Sequence, residues 1–186
     1  MKNNLKKLKA KVSTKYVLWI GVVLIALVVI LSGIRARALA QTKTPSNNPL
    51  LAQTEVAKEF TFEALLPNKK LSKVNLRLTS AEKRTEILVQ GKPAQTKNDK
   101  IFLVLNLEID NSDSLPKYMS PVDVFRLVSA DGKLFAADVH SGMLEIQPLS
   151  TKLNKIAFVI NKDDKQFNLK VGELEGDKED IQINFN

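Results

Sequence analysis

Cysteine is missing from all 186 residues. Its absence excludes disulfides, thiolate zinc sites, a cysteine nucleophile and a lipid-modified cysteine anchor. It leaves the compartment open, because oxidising compartments permit disulfides without requiring them. A domain of roughly 130 residues can in any case bury enough apolar surface without such staples. Histidine occurs once, at His140, so any histidine-dependent chemistry must run through that residue. No G-x-S-x-G nucleophile turn and no EF-hand spacing occurs. Acidic residues are absent before Tyr16, and charge of either sign is absent from Tyr16 to Ile34.

That uncharged run reads YVLWIGVVLIALVVILSGI. As a helix it would span roughly 28 Å, about one hydrocarbon core. Lys2, Lys6, Lys7, Lys9, Lys11 and Lys15 precede it, and Arg35, Arg37 and Lys43 follow. The remainder is nearly neutral, so most of the net charge of +8 belongs to the flanks of the run. A nucleic-acid-binding domain would concentrate its cations on the folded unit; that class is set aside. The lysines instead obey the positive-inside rule and predict a cytoplasmic N-terminus with everything after the run outside. Tyr16 and Trp19 stand where amphipathic rings favour the interface. Ala38-Leu39-Ala40 before Gln41 fits a signal-peptidase site, with secretion after cleavage as the alternative. The long apolar run and the intervening Arg35 and Arg37 favour an uncleaved signal anchor, with the membrane as first partner through Tyr16–Ile34.

The expected organisation is a basic cytoplasmic segment (1–15), a transmembrane anchor (16–34), a flexible tether (35–59) and an extracytoplasmic domain (60–186). The tether carries Pro45, Ser46, Asn47, Asn48 and Pro49, and Asn48-Pro49 could cap a short helix through Leu50, Leu51 and Val56. From Phe60 the apolar period is two. Phe60, Phe62 and Ala64 alternate with polar residues, as do Val74, Leu76 and Leu78. In Ile101–Asn111 the odd positions predict one fully buried face, whereas the even face starts apolar at Phe102 and Val104 and then turns polar. Asp131-Gly132 predicts a hairpin between Phe125/Leu127 and Leu134-Phe135. Further strands are expected at Ile156–Ile160, Phe167–Val171 and Ile181–Phe185. Seven to nine strands without a long helical pattern predict an all-β, two-sheet antiparallel sandwich behind a single N-terminal transmembrane helix.

Three motifs carry a family resemblance over roughly residues 73–173. FLVLNLEIDN ends in Asn111; FRLVSADGKLF holds Phe125, Leu127 and the Asp131-Gly132 turn; KIAFVINK holds Phe158-Val159. The chain resembles the telokin-like, immunoglobulin-like domain family of bacterial membrane-anchored and secreted surface proteins, a family of unknown function. Where the family often has a Pro-Gly-Glu turn, this chain has Pro148-Leu149-Ser150-Thr151. The resemblance implies an immunoglobulin-like sandwich displayed outside the cell. It brings no catalytic residues with it.

Several residue sets invite chemistry. His140 with Ser141 or Ser150 and Asp138 has the composition of a serine triad, but lacks the strained nucleophile turn that a triad needs. His140 and Met143, with Met119, offer soft ligands for copper, yet methionine in a β-domain more often fills gaps in a core. Asp163-Asp164 and the run Glu173, Glu175, Asp177, Glu179 and Asp180 offer oxygens for calcium, although interleaved lysines suit a solvated rim. Glu108 and Asp110 fall on one face of one strand, about 7 Å apart, where outward polarity explains them. No catalytic residue, cofactor or metal is therefore expected. The loop Asp110–Asp123 is the best candidate for binding a protein partner, presenting Leu115, Tyr118 and Met119 between Pro116 and Pro121. The competing reading is a cross-over whose Tyr and Leu tuck into the core edge. The expected function is a non-enzymatic, membrane-anchored binding module. The alternative is an assembly accessory whose helix and sandwich sit beside another membrane protein, with Gly21, Ala26, Ser32 and Gly33 as weak small-residue contacts.

Overall fold

A computed structural model describes residues 49–185. The expected basic segment, the transmembrane run and the tether as far as residue 48 lie outside the described residues. Among the described residues no helix is long and apolar enough to cross a membrane.

Among the described residues twelve strands form: β1 (Leu50–Leu65), β2 (Leu71–Arg84), β3 (Glu86–Val89), β4 (Lys92–Gln95), β5 (Lys100–Asn111), β6 (Lys117–Met119), β7 (Phe125–Val128), β8 (Leu134–Phe135), β9 (Leu144–Ile146), β10 (Ser150–Asn161), β11 (Gln166–Val171) and β12 (Glu179–Asn184). A four-residue helix, α1 (Pro121–Val124), precedes β7. A six-stranded sheet runs β10-β5-β2-β1-β6-β9 and a four-stranded sheet runs β12-β11-β7-β8, while β3 and β4 make a separate ribbon. All pairings are antiparallel. The architecture is all-β and sandwich-like, with the inward faces of both larger sheets contributing to one core.

β5 is the centre of that core. Ile101, Leu103, Leu105, Leu107 and Ile109 are buried among Leu76, Leu78, Ile156 and Phe158 from its two neighbours and Phe125, Leu169 and Ile183 from the other sheet. On its even face Phe102 and Val104 form a second small cluster with Ala157, Ile87 and Val139. Asn106, Glu108 and Asp110 are partly exposed. The change of character along the even face therefore marks where the β3–β4 ribbon and the segment around Val139 cover the sheet.

Two expectations for the tether are overturned. β1 begins at Leu50, so residues 50–59 are neither tether nor helix. Leu50, Ala52, Thr54 and Val56 take the half-buried positions of an alternating pattern, and Ala52 and Val56 pack on the core. The alternation was hidden because the inward Ala52 and Thr54 are weak markers of burial and the outward Leu51 and Ala57 are apolar. Its pairing with β2 slips between Glu55 and Lys58, where Ala57 takes φ +51°. Among the described residues β1 has one further ladder pairing, Leu65 with Tyr118 of β6, so most of its second edge lacks a strand partner.

The Asp131-Gly132 hairpin forms as the sequence predicts. β7 pairs with β8 through Leu127–Phe135 and Val128–Leu134. Ser129 and Lys133 close the loop by a backbone bond of 2.9 Å, and Gly132 has φ +79°, a conformation glycine takes without penalty.

Candidate functional site

The loop after β5 is built around Asn111. This residue is completely buried (0% exposed). Its amide donates to the carbonyls of Leu115 (2.9 Å), Ile146 (3.2 Å) and Gln147 (3.1 Å), and its Oδ1 accepts the Asp113 N–H (3.2 Å). A side chain able to donate and accept at once thus ties the loop to β9 and satisfies carbonyls that burial would otherwise penalise. Leu149 N–H reinforces the tie by donating to the Asp113 carbonyl (3.1 Å).

Beyond the tie, Lys117 turns inward. It is 3% exposed, and its Nζ meets the Asp113 carboxylate at 2.8 Å and donates to the Lys73 carbonyl. The Lys117 ammonium, by hydrogen bond and by charge, holds the Asp113 carboxyl below the usual range. With Lys117 in, strand alternation in β6 puts Tyr118 out and Met119 in. Met119 is 4% exposed and belongs to the main core. This corrects the expectation that the loop presents Met119. The proline-flanked KYM is a short strand, and its inward lysine disguised the alternation.

Tyr118 is partly buried. Burial pushes its phenol above the usual tyrosine range, and the charge and hydrogen bond of Glu145 add to the rise. Leu115 is half exposed. Tyr118 and Met119 line a cleft of about 220 Å³, together with Leu65, Leu71, Met143 and Leu174; Leu115 does not. Leu65, Leu71, Met143 and Leu174 are all exposed. Ala64, Ser120, Val124 and the acidic Glu63, Asp123 and Glu173 complete the lining, and among the described residues no lysine or arginine lines it. Glu173 also accepts the Glu63 N–H at 2.8 Å. Sequence reasoning passed over this apolar rim. Its signal was that Leu65 and Leu71 stand at the outward parity of strands whose inward residues are Phe62, Ala64, Val74 and Leu76.

The other sequence candidates do not assemble. His140 is exposed, and its Nδ1 accepts the Gly142 N–H (3.1 Å). Ser141 Oγ accepts from the Asn154 amide (3.1 Å), Ser150 Oγ donates to the Gln147 carbonyl (2.7 Å), and Asp138 accepts the Val159 N–H (2.7 Å). Each member of the possible triad is thus engaged elsewhere. Met119 and Met143 share the cleft, but His140 does not line it. Among the described residues no group of three His, Asp or Glu side chains converges as a metal site. In the acidic run, Glu179 pairs with Lys58 (3.0 Å) and Asp180 with Lys170 (2.8 Å). Lys178 donates to the carbonyls of Glu173 (2.9 Å) and Leu174 (3.1 Å). Glu108 is held by Arg77, whose Nε donates at 3.0 Å. Asp110 accepts from Ser112 (2.7 Å) and Thr151 (3.0 Å), which lower its pKa in that order.

A larger groove of about 840 Å³ opens between the two sheets, with Leu127, Phe135, Phe158 and Phe167 in its lining and charges of both signs, Lys100, Lys165, Asp138 and Asp164, around it.

No family model matches the chain, and no curated protein does. A crystal structure of a conserved hypothetical protein from Bacillus anthracis is similar over 73% of this chain and 99% of its own, at 19% identity and a TM-score of 0.47.

Proposed function

We propose that this chain is a non-enzymatic binding module of immunoglobulin-like fold, anchored in the cell membrane by Tyr16–Ile34 and displayed outside it. The observation that carries the reading is the place of the Tyr118 cleft. β1 starts at Leu50, where the preceding chain joins the domain, and ends at Leu65, on the cleft. Sixteen residues of strand at about 3.3 Å each separate the two by about 50 Å. The exposed leucines and Tyr118 thus lie at the other end of β1 from the residue at which the preceding chain enters it. The volume points to a protein partner. At about 220 Å³ the cleft falls below the roughly 300 Å³ at which small-molecule pockets begin, so it suits one or two side chains of a larger surface. The sequence supports the membrane part through its basic flank and uncharged run. The motifs ending at Asn111 and around Asp131-Gly132 support membership of the telokin-like family.

The chain's lack of cysteine makes the test clean. A single cysteine introduced by Leu115→Cys should react with a membrane-impermeant maleimide on intact cells, whereas Asn3→Cys should react only after permeabilisation. A photoreactive phenylalanine analogue at position 118 should cross-link to a defined protein on those cells, and the same analogue at Thr61, on the exposed side of β1, should not. Labelling at Leu115→Cys only after permeabilisation, or equal cross-linking from both positions, would overturn the reading.

A further inference from the structure

The Tyr118 cleft is apolar at its centre and the charged residues that line it are all acidic, while the Lys178 ammonium, outside the lining, donates to the Glu173 and Leu174 carbonyls. Leu65, Leu71, Tyr118 and Met143 offer apolar contact, while Glu63, Asp123 and Glu173 carry the charge. The cation nearest in sequence, Lys117, is turned inward onto Asp113. Lys73 stands opposite Glu63 in the β1–β2 register, and among the described residues it makes no ion pair. Tyr118 itself leans on a fourth carboxylate, Glu145. The large inter-sheet groove, by contrast, balances two lysines against two aspartates and so selects no sign of charge.

From this complementarity we infer that the partner of the cleft is a cationic protein segment: lysines or arginines flanking one or two large apolar side chains. The inference rests on the reading of the cleft as the binding site and names the chemistry that fills it. Apolar side chains enter the space above Met119 and lose water there, which supplies affinity. The flanking cations approach Glu63, Asp123 and Glu173, which supply selectivity and speed the encounter. An acidic segment would bring its carboxylates against three others, and that repulsion excludes it.

The structure supplies its own probe. The chain has three methionines, Met1, Met119 and Met143, and two of them line the cleft. Methyl NMR of the full-length chain in lipid nanodiscs therefore reports the cleft almost without background. Three synthetic peptides of equal length serve as ligands: leucine and phenylalanine between lysines, the same apolar residues between glutamates, and serines between lysines. The lysine-flanked apolar peptide should move the Met119 and Met143 methyl signals saturably, and the other two should not. The double variant Glu63→Gln/Asp123→Asn should weaken that binding about three- to tenfold at low salt, as expected for two exposed charges. The difference should vanish near 0.5 M salt, where screening shortens the reach of exposed charge. Leu71→Ser should weaken binding at every salt concentration. Equal or tighter binding of the glutamate-flanked peptide would overturn the cationic partner while leaving the cleft as a binding site. Silence of both methyls toward every peptide at millimolar concentration would overturn the site as well. Methyl shifts that follow protein concentration without any peptide would assign the cleft to a second copy of this chain and likewise overturn the inference.

Discussion

Each end of the sheets buries a lysine, and the two lysines are satisfied differently. At the end where the chain joins, Lys83 donates to the carbonyls of Lys162 and Asp164 (2.7 Å each) and lies 5.9 Å from the centre of the Phe185 ring. At the cleft end, Lys117 has a carbonyl and also a carboxylate, and Asn111 donates to three carbonyls and accepts one N–H. Carbonyls orient an ammonium but do not neutralise it. Burial accordingly lowers the Lys83 pKa, outweighing the attraction of Asp164 and Asp163. The cleft end is thus fastened with paired groups beneath an apolar surface. The joining end holds a charge that folding disfavours.

The strongest way to break this contrast is Asn111→Ala. Three carbonyls lose a donor, the one at Ile146 fully buried and those at Leu115 and Gln147 partly so, and the loss should be about 2–3 kcal/mol in urea unfolding. Loss of cleft order should accompany it, read from the Met119 methyl. Lys117→Met comes next. Asp113 is exposed enough to be solvated alone, so the change should cost about 1–2 kcal/mol, chiefly for the Lys73 carbonyl. Lys83→Met should stay within about 1 kcal/mol of the parent near neutral pH, because removing an unneutralised buried charge offsets the two abandoned carbonyls.

The same variant sharpens the contrast by pH. A lowered lysine pKa means that the folded state binds fewer protons than the unfolded one between the lowered value and about 10.4. Stability of the parent should rise with pH through that window, and Lys83→Met should remove the rise. Glu82 gives the smallest effect, a slope of the same sign on the acid side of the profile. Burial pushes its carboxyl up, but hydrogen bonds from Arg84 and Asn106 outweigh burial and leave its pKa low. Its contribution is present above about pH 4.3 and is lost as pH falls through the lower folded value. Glu82→Gln should therefore flatten the acid side of the stability profile between about pH 5 and 3.

Legibility from sequence followed side-chain chemistry. β5 was readable on both faces, because leucine, isoleucine and valine at alternate positions report burial directly. The Asp131-Gly132 turn was readable because a positive φ selects glycine. β6 was not, because Lys117 occupies an inward position and a lysine reads as surface until its partners are known. The first half of β1 was lost for a related reason: Ala52 and Thr54 are weak markers of burial, and the neighbouring Pro, Ser and Asn suggested a linker. The loop Asp110–Asp123 contributes Tyr118, Met119, Ser120 and Asp123 to the cleft. However, one of its three named residues is core, and the leucines that frame the cleft come from the β1–β2 hairpin and, at Leu174, from the β11–β12 connection, which only the fold brings beside Tyr118.

The open edge of β1 bears on behaviour at high concentration. A long strand that lacks a ladder partner along most of one edge is a template on which a neighbouring molecule can add its own strand. Here the slip at Ala57 bends that template midway, and Lys58, tied to Glu179, places a cation on it. A second strand would find its hydrogen-bonding register interrupted after a few residues and an ammonium in its path. Molecules crowded together can thus lie edge to edge without zipping into a common sheet, and straightening the slip by deleting Ala57 would expose the protein to fibrous association.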